Sequence, residues 1–221
     1  MKAAPTPIPM TQPALRPRDA ATLILLRDGR EVLMGQRPHG SVFMPNKWVF
    51  PGGRVDPQDA RAPAASEFDA ETEAYLRLHA VRRAPRAFGL AAARETWEET
   101  GLRVGGPAGP ELSRFRLVCR AITPPGAPRR FDARFFVADA GEVLAEDRPV
   151  AGDELLDLKW FSFEEALALD LPRVTKFVLG EIEAQLQGEA RSPAFLRFNR
   201  GKRTIGRLGD ALGPPPDVDE Y

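Results

Sequence analysis

Among 221 residues there is a single cysteine, Cys119, and only two histidines, His39 and His79. One thiol excludes an intramolecular disulfide framework and a cysteine-rich zinc site, and two imidazoles are too few for a histidine metal cluster. Net charge is also lacking, with 31 Lys+Arg against 31 Asp+Glu. No chain-wide field therefore draws in nucleic acid or an anionic membrane surface, although local patches are compatible with that balance. Lysine is scarce, 5 residues against 26 arginines. Long apolar runs are missing: the aliphatic stretch at residues 20–26 falls far short of the roughly 20 residues that span a bilayer. Residues 1–17 lack the apolar segment of a secretory signal. These absences lead to the expectation of a cytoplasmic chain with no nucleic acid and no membrane among its partners.

Proline, in contrast, is abundant at 22 residues, about twice its usual ~5% share. Five prolines precede residue 18, so residues 1–18 read as an extended, flexible arm. Three more, Pro214, Pro215 and Pro216, accompany four acidic groups, and residues 206–221 read as a disordered acidic tail. Residues 19–205 then form one domain.

Within that domain, residues 22–26, the pair Asp28-Gly29 and residues 31–36 predict a hairpin. The apolar segment 48–55 is broken by Pro51-Gly52-Gly53, where the backbone must bend or approach another group closely. Asp69 ahead of Glu71 predicts one helix, and Pro85 opens a second that runs to Thr100 and stops at Gly101. Strands are expected over 115–122, 130–138 and 155–161, with Cys119 buried on the first. Ser162 and Glu165 form a capping box, and Val174, Phe177, Val178, Ile182 and Leu186 recur at helical spacing.

The segment that carries chemistry is Arg94-Glu95-Thr96-Trp97-Glu98-Glu99-Thr100-Gly101-Leu102. On a helix Glu95, Glu98 and Glu99 share one face within about a turn. Like charges so placed cost roughly 0.2–0.5 kcal/mol, and acidic groups before Gly101 also oppose the helix dipole. A hard divalent cation with oxygen ligands reverses both penalties, and a local rule is broken where function is expected. The same spacing also describes an ordinary solvated acidic face.

Together with Phe50-Pro51-Gly52-Gly53 upstream, this segment resembles the box of the Nudix hydrolases: G, five residues, E, seven residues, then R-E-U-x-E-E-x-G-U with U apolar. Arg94, Glu95, Glu98, Glu99, Gly101 and Leu102 fit the second half, and Thr96 is off pattern. Gly53 fits the first position, with Asp59 six residues on where the family has Glu; Glu67 or Asp69 are substitutes for it. Arg94 lies 41 positions after Gly53, 27 more than in an uninterrupted box, so a helical insertion over about 60–86 splits it.

The resemblance implies an α/β fold, a Nudix-type α/β/α sandwich with a mixed sheet. It implies Mg2+ or Mn2+ held by Glu95, Glu98, Glu99 and the Gly52 carbonyl, with Arg94 orienting the glutamates. The implied reaction is hydrolysis of a diphosphate linkage in a nucleoside diphosphate derivative, a small-molecule nucleotide. Catalytic candidates are Arg94, Glu98 and, as base, Glu154, with Asp153 and Glu146 as rivals. A box split by a long insertion is similar to a Nudix subgroup known for peroxisomal coenzyme A diphosphatases, which cleave coenzyme A to 3',5'-ADP and 4'-phosphopantetheine. The terminal Asp219-Glu220-Tyr221 does not resemble a peroxisomal address.

Arg37, Arg129, Arg130 and Arg134 are candidates for phosphate contacts, because guanidinium forks match phosphate oxygens. Phe43, Trp48 and Phe50 are candidates for stacking on a base, with core packing as the plainer reading. A Nudix-fold module that binds a nucleotide without hydrolysing it is the alternative function, and the intact three-glutamate face favours the enzyme. The inserted helix is a candidate partner surface, including that of a homodimer.

Overall fold

A computed structural model describes residues 15–78, 83–146, 148–199 and 202–210. Strands β1 (Arg18–Arg27) and β2 (Glu31–Gln36) form the expected hairpin. Its turn places Asp28 and Gly29 at φ 52° and 64°, the left-handed pair that a two-residue hairpin requires. Two short strands follow, β3 (Trp48–Val49) on β2 and β4 (Gly52–Arg54) on β1. The segment after β4 contains a 3-10 turn at Asp59–Arg61 and helix α1 (Ala70–Arg77), which Asp69 caps by accepting from the Thr72 amide. Helix α2 runs Pro85–Thr100 and ends at Gly101 with φ 70°, both boundaries as expected.

Strands β5 (Arg116–Ile122) and β6 (Phe131–Asp139) pair antiparallel. Short helix α3 (Ala140–Val143), strand β7 (Leu156–Ser162), helix α4 (Phe163–Ala168) and helix α5 (Arg173–Leu186) follow. Ser162 and Glu165 complete a reciprocal capping box at α4.

The sheet order is β3-β2-β1-β6-β5-β8-β9, with β4 also on β1 and β7 also on β2. Pairs β1·β6 and β5·β8 are parallel and the others antiparallel, so the sheet is mixed. Alternate side chains serve two cores. Leu23, Leu25, Leu33, Leu117 and Phe136 pack with α1 and α2 on one face. Ile24, Val32, Met34, Val118 and Val137 pack with α4 and α5 on the other. The architecture is the expected α/β/α sandwich.

The segment between β4 and α2 is built into the first core. Phe68 stacks on Phe136 at 5.4 Å, and Leu76 is buried. Any Cβ on Gly89 of α2 would lie 2.7 Å from Phe68 Cζ, so a glycine is what lets the segment seat closely on the helix. At the C-terminal side the expected tail boundary at 206 is corrected. Strands β8 (Ala194–Asn199) and β9 (Lys202–Arg207) form an antiparallel hairpin, and Leu208 is buried behind it. Residues 211–221 and 1–14, which carry the rest of the tail and most of the arm, lie outside the described residues.

Candidate active site

Helix α2 turns Glu95 and Glu99 toward β4. The Gly52 amide donates to Glu99 Oε2 at 2.8 Å, and Glu99 is 3% exposed. Any Cβ on Gly53 would stand 2.3 Å from Glu95 Oε2, so the second glycine makes room for that carboxylate. The two glycines and two glutamates, distant in sequence, thus meet.

Arg94 organises the upstream side. Its Nε and Nη2 donate to the two oxygens of Asp59 at 2.9 and 3.2 Å. Nη2 also reaches the Arg54 carbonyl at 2.9 Å, and Nη1 donates to Glu95 and Glu98 at 2.9 Å each. The Asp59 hydrogen bond leads the causes that hold this guanidinium in its charged form, burial opposing it. Asp59 is buried, and is the carboxylate that meets Arg94. Glu67 pairs with Arg86 and Asp69 caps α1 instead. Thr96, off pattern in sequence, is buried with its hydroxyl satisfied by the Ala92 carbonyl at 2.8 Å.

Burial pushes the Glu99 carboxyl up to about 8; the Gly52 amide and the Arg37 charge oppose this, while Glu95 and Glu154 add to it. Glu95 is likewise raised, by burial first, with Arg94 opposing and Glu98 and Glu154 adding. The Glu154 charge, on the loop before β7, thus acts on both helix carboxylates. That loop is tied to the end of α2, since the Val150 amide donates to the Thr100 carbonyl at 2.7 Å. Glu98 is the outlier, its side chain 49% exposed and turned to Arg94. Among the described residues no three His, Cys, Asp or Glu side chains converge closely enough to hold an ion as they stand. The donor chemistry nevertheless fits a hard divalent cation: oxygen donors at Glu95, Glu99 and Glu154 repel one another, and a cation relieves that repulsion.

Of the expected phosphate-contacting residues, Arg37 is the one whose charge acts on Glu99. Its main chain is fixed at the end of β2 by bonds to Lys47 and Asn46, and its Nε is buried without a hydrogen-bond partner. The structure corrects three expected substrate contacts, one for base stacking and two for phosphate. Phe50 is 5% exposed, packed in the core on the α5 side. Arg134 is 1% exposed, paired with Asp19 at 3.2 Å and Asp132 at 3.0 Å, and stacked over Phe88. Burial holds it down to about 10. Arg130 is spent on the Thr123 and Leu15 carbonyls. Arg129 is exposed in the loop just before β6. Cys119 is fully buried and its thiol is pushed up, by burial first, which suits the expected inert strand residue.

Residues 87–178 match the model of the NUDIX domain. The match begins inside α2. Over 171 residues the chain is 28% identical to "Putative nudix hydrolase 7" of Caenorhabditis elegans, covering 68% of this chain and 53% of that one. It thus spans about half the length of that curated relative. The crystal structure of a NUDIX hydrolase from Alicyclobacillus acidocaldarius superposes with a TM-score of 0.58 at 28% identity, over 76% of this chain and 92% of that one. A MutT protein from Methanosarcina mazei Go1, at 17% identity and TM-score 0.51 over 77% and 96% of the two chains, shares the fold. No helix among the described residues is long and apolar enough to cross a membrane.

Proposed function

We propose that this chain, which carries a NUDIX domain, is a divalent-metal-dependent hydrolase of a diphosphate linkage in a nucleoside diphosphate derivative. The observation that carries the reading is the meeting of Gly52 with Glu99 and Gly53 with Glu95 across the insertion. It supports taking the glycines and the α2 glutamates as halves of one split Nudix box, with Asp59 in the intervening acidic position.

Glu95 and Glu99, joined by Glu98 and the Gly52 carbonyl, would hold Mg2+ or Mn2+. When bound, such an ion supplies Lewis-acid neutralisation of phosphoryl oxygens and acidifies water. The chain's own groups do the rest. Arg94 is a positioning residue, holding Glu95 and Glu98 while Asp59 anchors it. Glu154 accepts the proton of the water that attacks phosphorus, a role that suits a carboxylate facing both helix glutamates from an exposed loop. Arg37 donates to a phosphate oxygen, which satisfies its buried Nε.

Coenzyme A and acyl-CoAs are the leading substrates, on the similarity of the split box. Purified chain with Mg2+ or Mn2+ is to be assayed against coenzyme A, acyl-CoAs, NADH, ADP-ribose and diadenosine polyphosphates. Release of 3',5'-ADP and (acyl-)phosphopantetheine is the expected result. Preference for a substrate without coenzyme A removes that assignment, and no turnover of any substrate replaces the hydrolase by a nucleotide-binding module.

A further inference from the structure

Between β2 and β3 the chain leaves the sheet over residues 37–47 and closes on itself at a narrow neck. The Arg37 amide donates to the Lys47 carbonyl at 2.9 Å, and the Asn46 amide donates to the Arg37 carbonyl at 3.1 Å. Gln36, the last residue of β2, donates from its side chain to the Asn46 carbonyl at 3.1 Å. The bonds that fix the main chain of Arg37 thus run to Asn46 or to its neighbour.

Local chemistry explains the neck. The Lys47 amide donates back to the Met44 carbonyl at 3.4 Å, which makes Met44-Pro45-Asn46-Lys47 a turn. Proline sets φ at about −65° in its second position, and Asn46 has φ 61° in its third. That combination is a type II turn, whose third position takes glycine or asparagine because φ there is positive. Met44 is left-handed too, at φ 53°, although the proline after it favours extended backbone. Such strain persists where the surroundings over-determine it, and it gathers at ligand clamps. The rest of the loop is anchored as well. Phe43 meets Phe131 of β6 edge-on at 5.4 Å, and Asn46 Nδ2 bonds with His39 Nδ1 at 3.0 Å.

What the neck holds is a guanidinium in a costly place. Arg37 Nε is buried without a hydrogen-bond partner, and a side chain on a mobile main chain would turn that group to water. A rigid main chain behind it keeps the donor in place ahead of its ligand, so that binding does not have to order it.

We propose that Asn46 is a positioning residue for substrate binding: its left-handed main chain closes the neck that holds Arg37 ready for a phosphate oxygen. The Asn46 side chain is secondary to that. The inference rests on the reading of Arg37 as a phosphate contact of a hydrolase, and its test separates positioning from catalysis.

Asn46→Gly keeps the conformation and loses only the bond to His39, whereas a β-branched residue in Asn46→Val is forced out of it. Calorimetric titration of the full chain with α,β-methylene-ADP and Mg2+ reads the neck without turnover, because that probe has carbon in place of the bridging oxygen. Asn46→Val is expected to weaken binding at least about tenfold, the scale of one charge-assisted phosphate contact. Asn46→Gly stays within about threefold of wild type. In Arg37→Gln the contact is already gone, so Asn46→Val removes no more than about a further twofold. Asn46→Ala, a milder misfit, is measured alongside in case Asn46→Val does not fold, and its loss lies between those of the other two. In turnover the same variants raise KM and leave kcat near wild type. Wild-type affinity in Asn46→Val and Asn46→Ala, an equal loss in Asn46→Gly, or a loss that adds in full to that of Arg37→Gln overturns the proposal. A wild-type chain that does not bind the probe overturns it as well. Asn46-dependent affinity without turnover of any substrate keeps the positioning role and removes the hydrolase.

Discussion

Arg94 and Asp59 meet as a two-pronged pair, Nε on Oδ1 at 2.9 Å and Nη2 on Oδ2 at 3.2 Å, although 35 positions separate them in sequence. The carboxylate is buried and the arginine side chain is 20% exposed, so removal of one partner strands a charge in the interior. Asp59→Asn is expected to cost about 2–4 kcal/mol in urea denaturation, near the range for a broken buried pair. Asp59→Glu keeps the charge and loses less, and tests how much room the slot has for one more methylene. A loss below about 1 kcal/mol for Asp59→Asn would show that Arg54, Glu95 and Glu98 hold Arg94 without it.

Gly53→Ala separates site geometry from folding. The new methyl group would lie 2.3 Å from Glu95 Oε2, which is the end of a side chain and is able to swing away. The fold is therefore expected to survive with a thermal midpoint within a few degrees of wild type, while Glu95 leaves its place beside β4. Turnover should drop at least about 100-fold, since small misplacements of a catalytic group are costly. Full activity in this variant would detach Glu95 from the site.

Glu99 makes stability depend on pH in a stated direction. Its carboxyl sits at about 8 when folded and near its ordinary ~4.3 when unfolded, so the folded state binds the proton more tightly. The stability that this contributes is fully present below the unfolded value and is lost as pH rises through the folded one. In chelator the thermal midpoint is expected to fall between pH 5 and pH 8, and Glu99→Gln to flatten that slope. Mg2+ or Mn2+ should raise the midpoint more at pH 8, where the carboxylate is charged, than at pH 5. A slope that is unchanged in Glu99→Gln refutes this account.

Glu154 is distinguished from its rivals by what it faces. It acts on Glu95 and Glu99, and neither Asp153 nor Glu146 is among the leading charges on either carboxyl. Glu154→Gln is expected to reduce kcat with little change in KM and to remove the rise of kcat with pH that a carboxylate base produces. Asp153→Gln should leave that profile as it is. A wild-type profile in Glu154→Gln takes the proton-accepting role away from this residue.

Local chemistry was the legible part of this chain. The Asp28-Gly29 hairpin, the Pro85 start and Gly101 stop of α2, and the Ser162 capping box each depend on a few adjacent residues, and each was read from sequence. The β8–β9 hairpin was not, because its strands do not alternate polar and apolar. Phe195 belongs to one core and Leu196 packs against the other, while Arg197 and Arg203 stack over Phe195 and Phe198. Within the site, the glutamate face was legible as a spacing on one helix. The approach of Gly52 and Gly53 to it was expected from resemblance, since sequence distance alone gives no contact across an insertion. The role of the arginines was the least legible: a guanidinium reads as surface until the strands that bring its carboxylates are placed.

Arg134 is the sharpest instance, and it is testable. It was a candidate for substrate phosphate, yet it lies buried between Asp19 of β1 and Asp132 of its own strand, with Phe88 of α2 beneath it at 4.1 Å. Arg83 and Arg120 complete the ionic chain from outside. Arg134→Met keeps the apolar contact with Phe88 but leaves two carboxylates that had shared a cation. Truncation of one partner in a buried charged network typically costs ~3–5 kcal/mol, discounted here because the other two arginines remain. A loss of about 2–3 kcal/mol is therefore expected in denaturant unfolding, with KM for the nucleotide substrate unchanged below the transition. A raised KM without loss of stability would return Arg134 to the substrate, which its burial opposes.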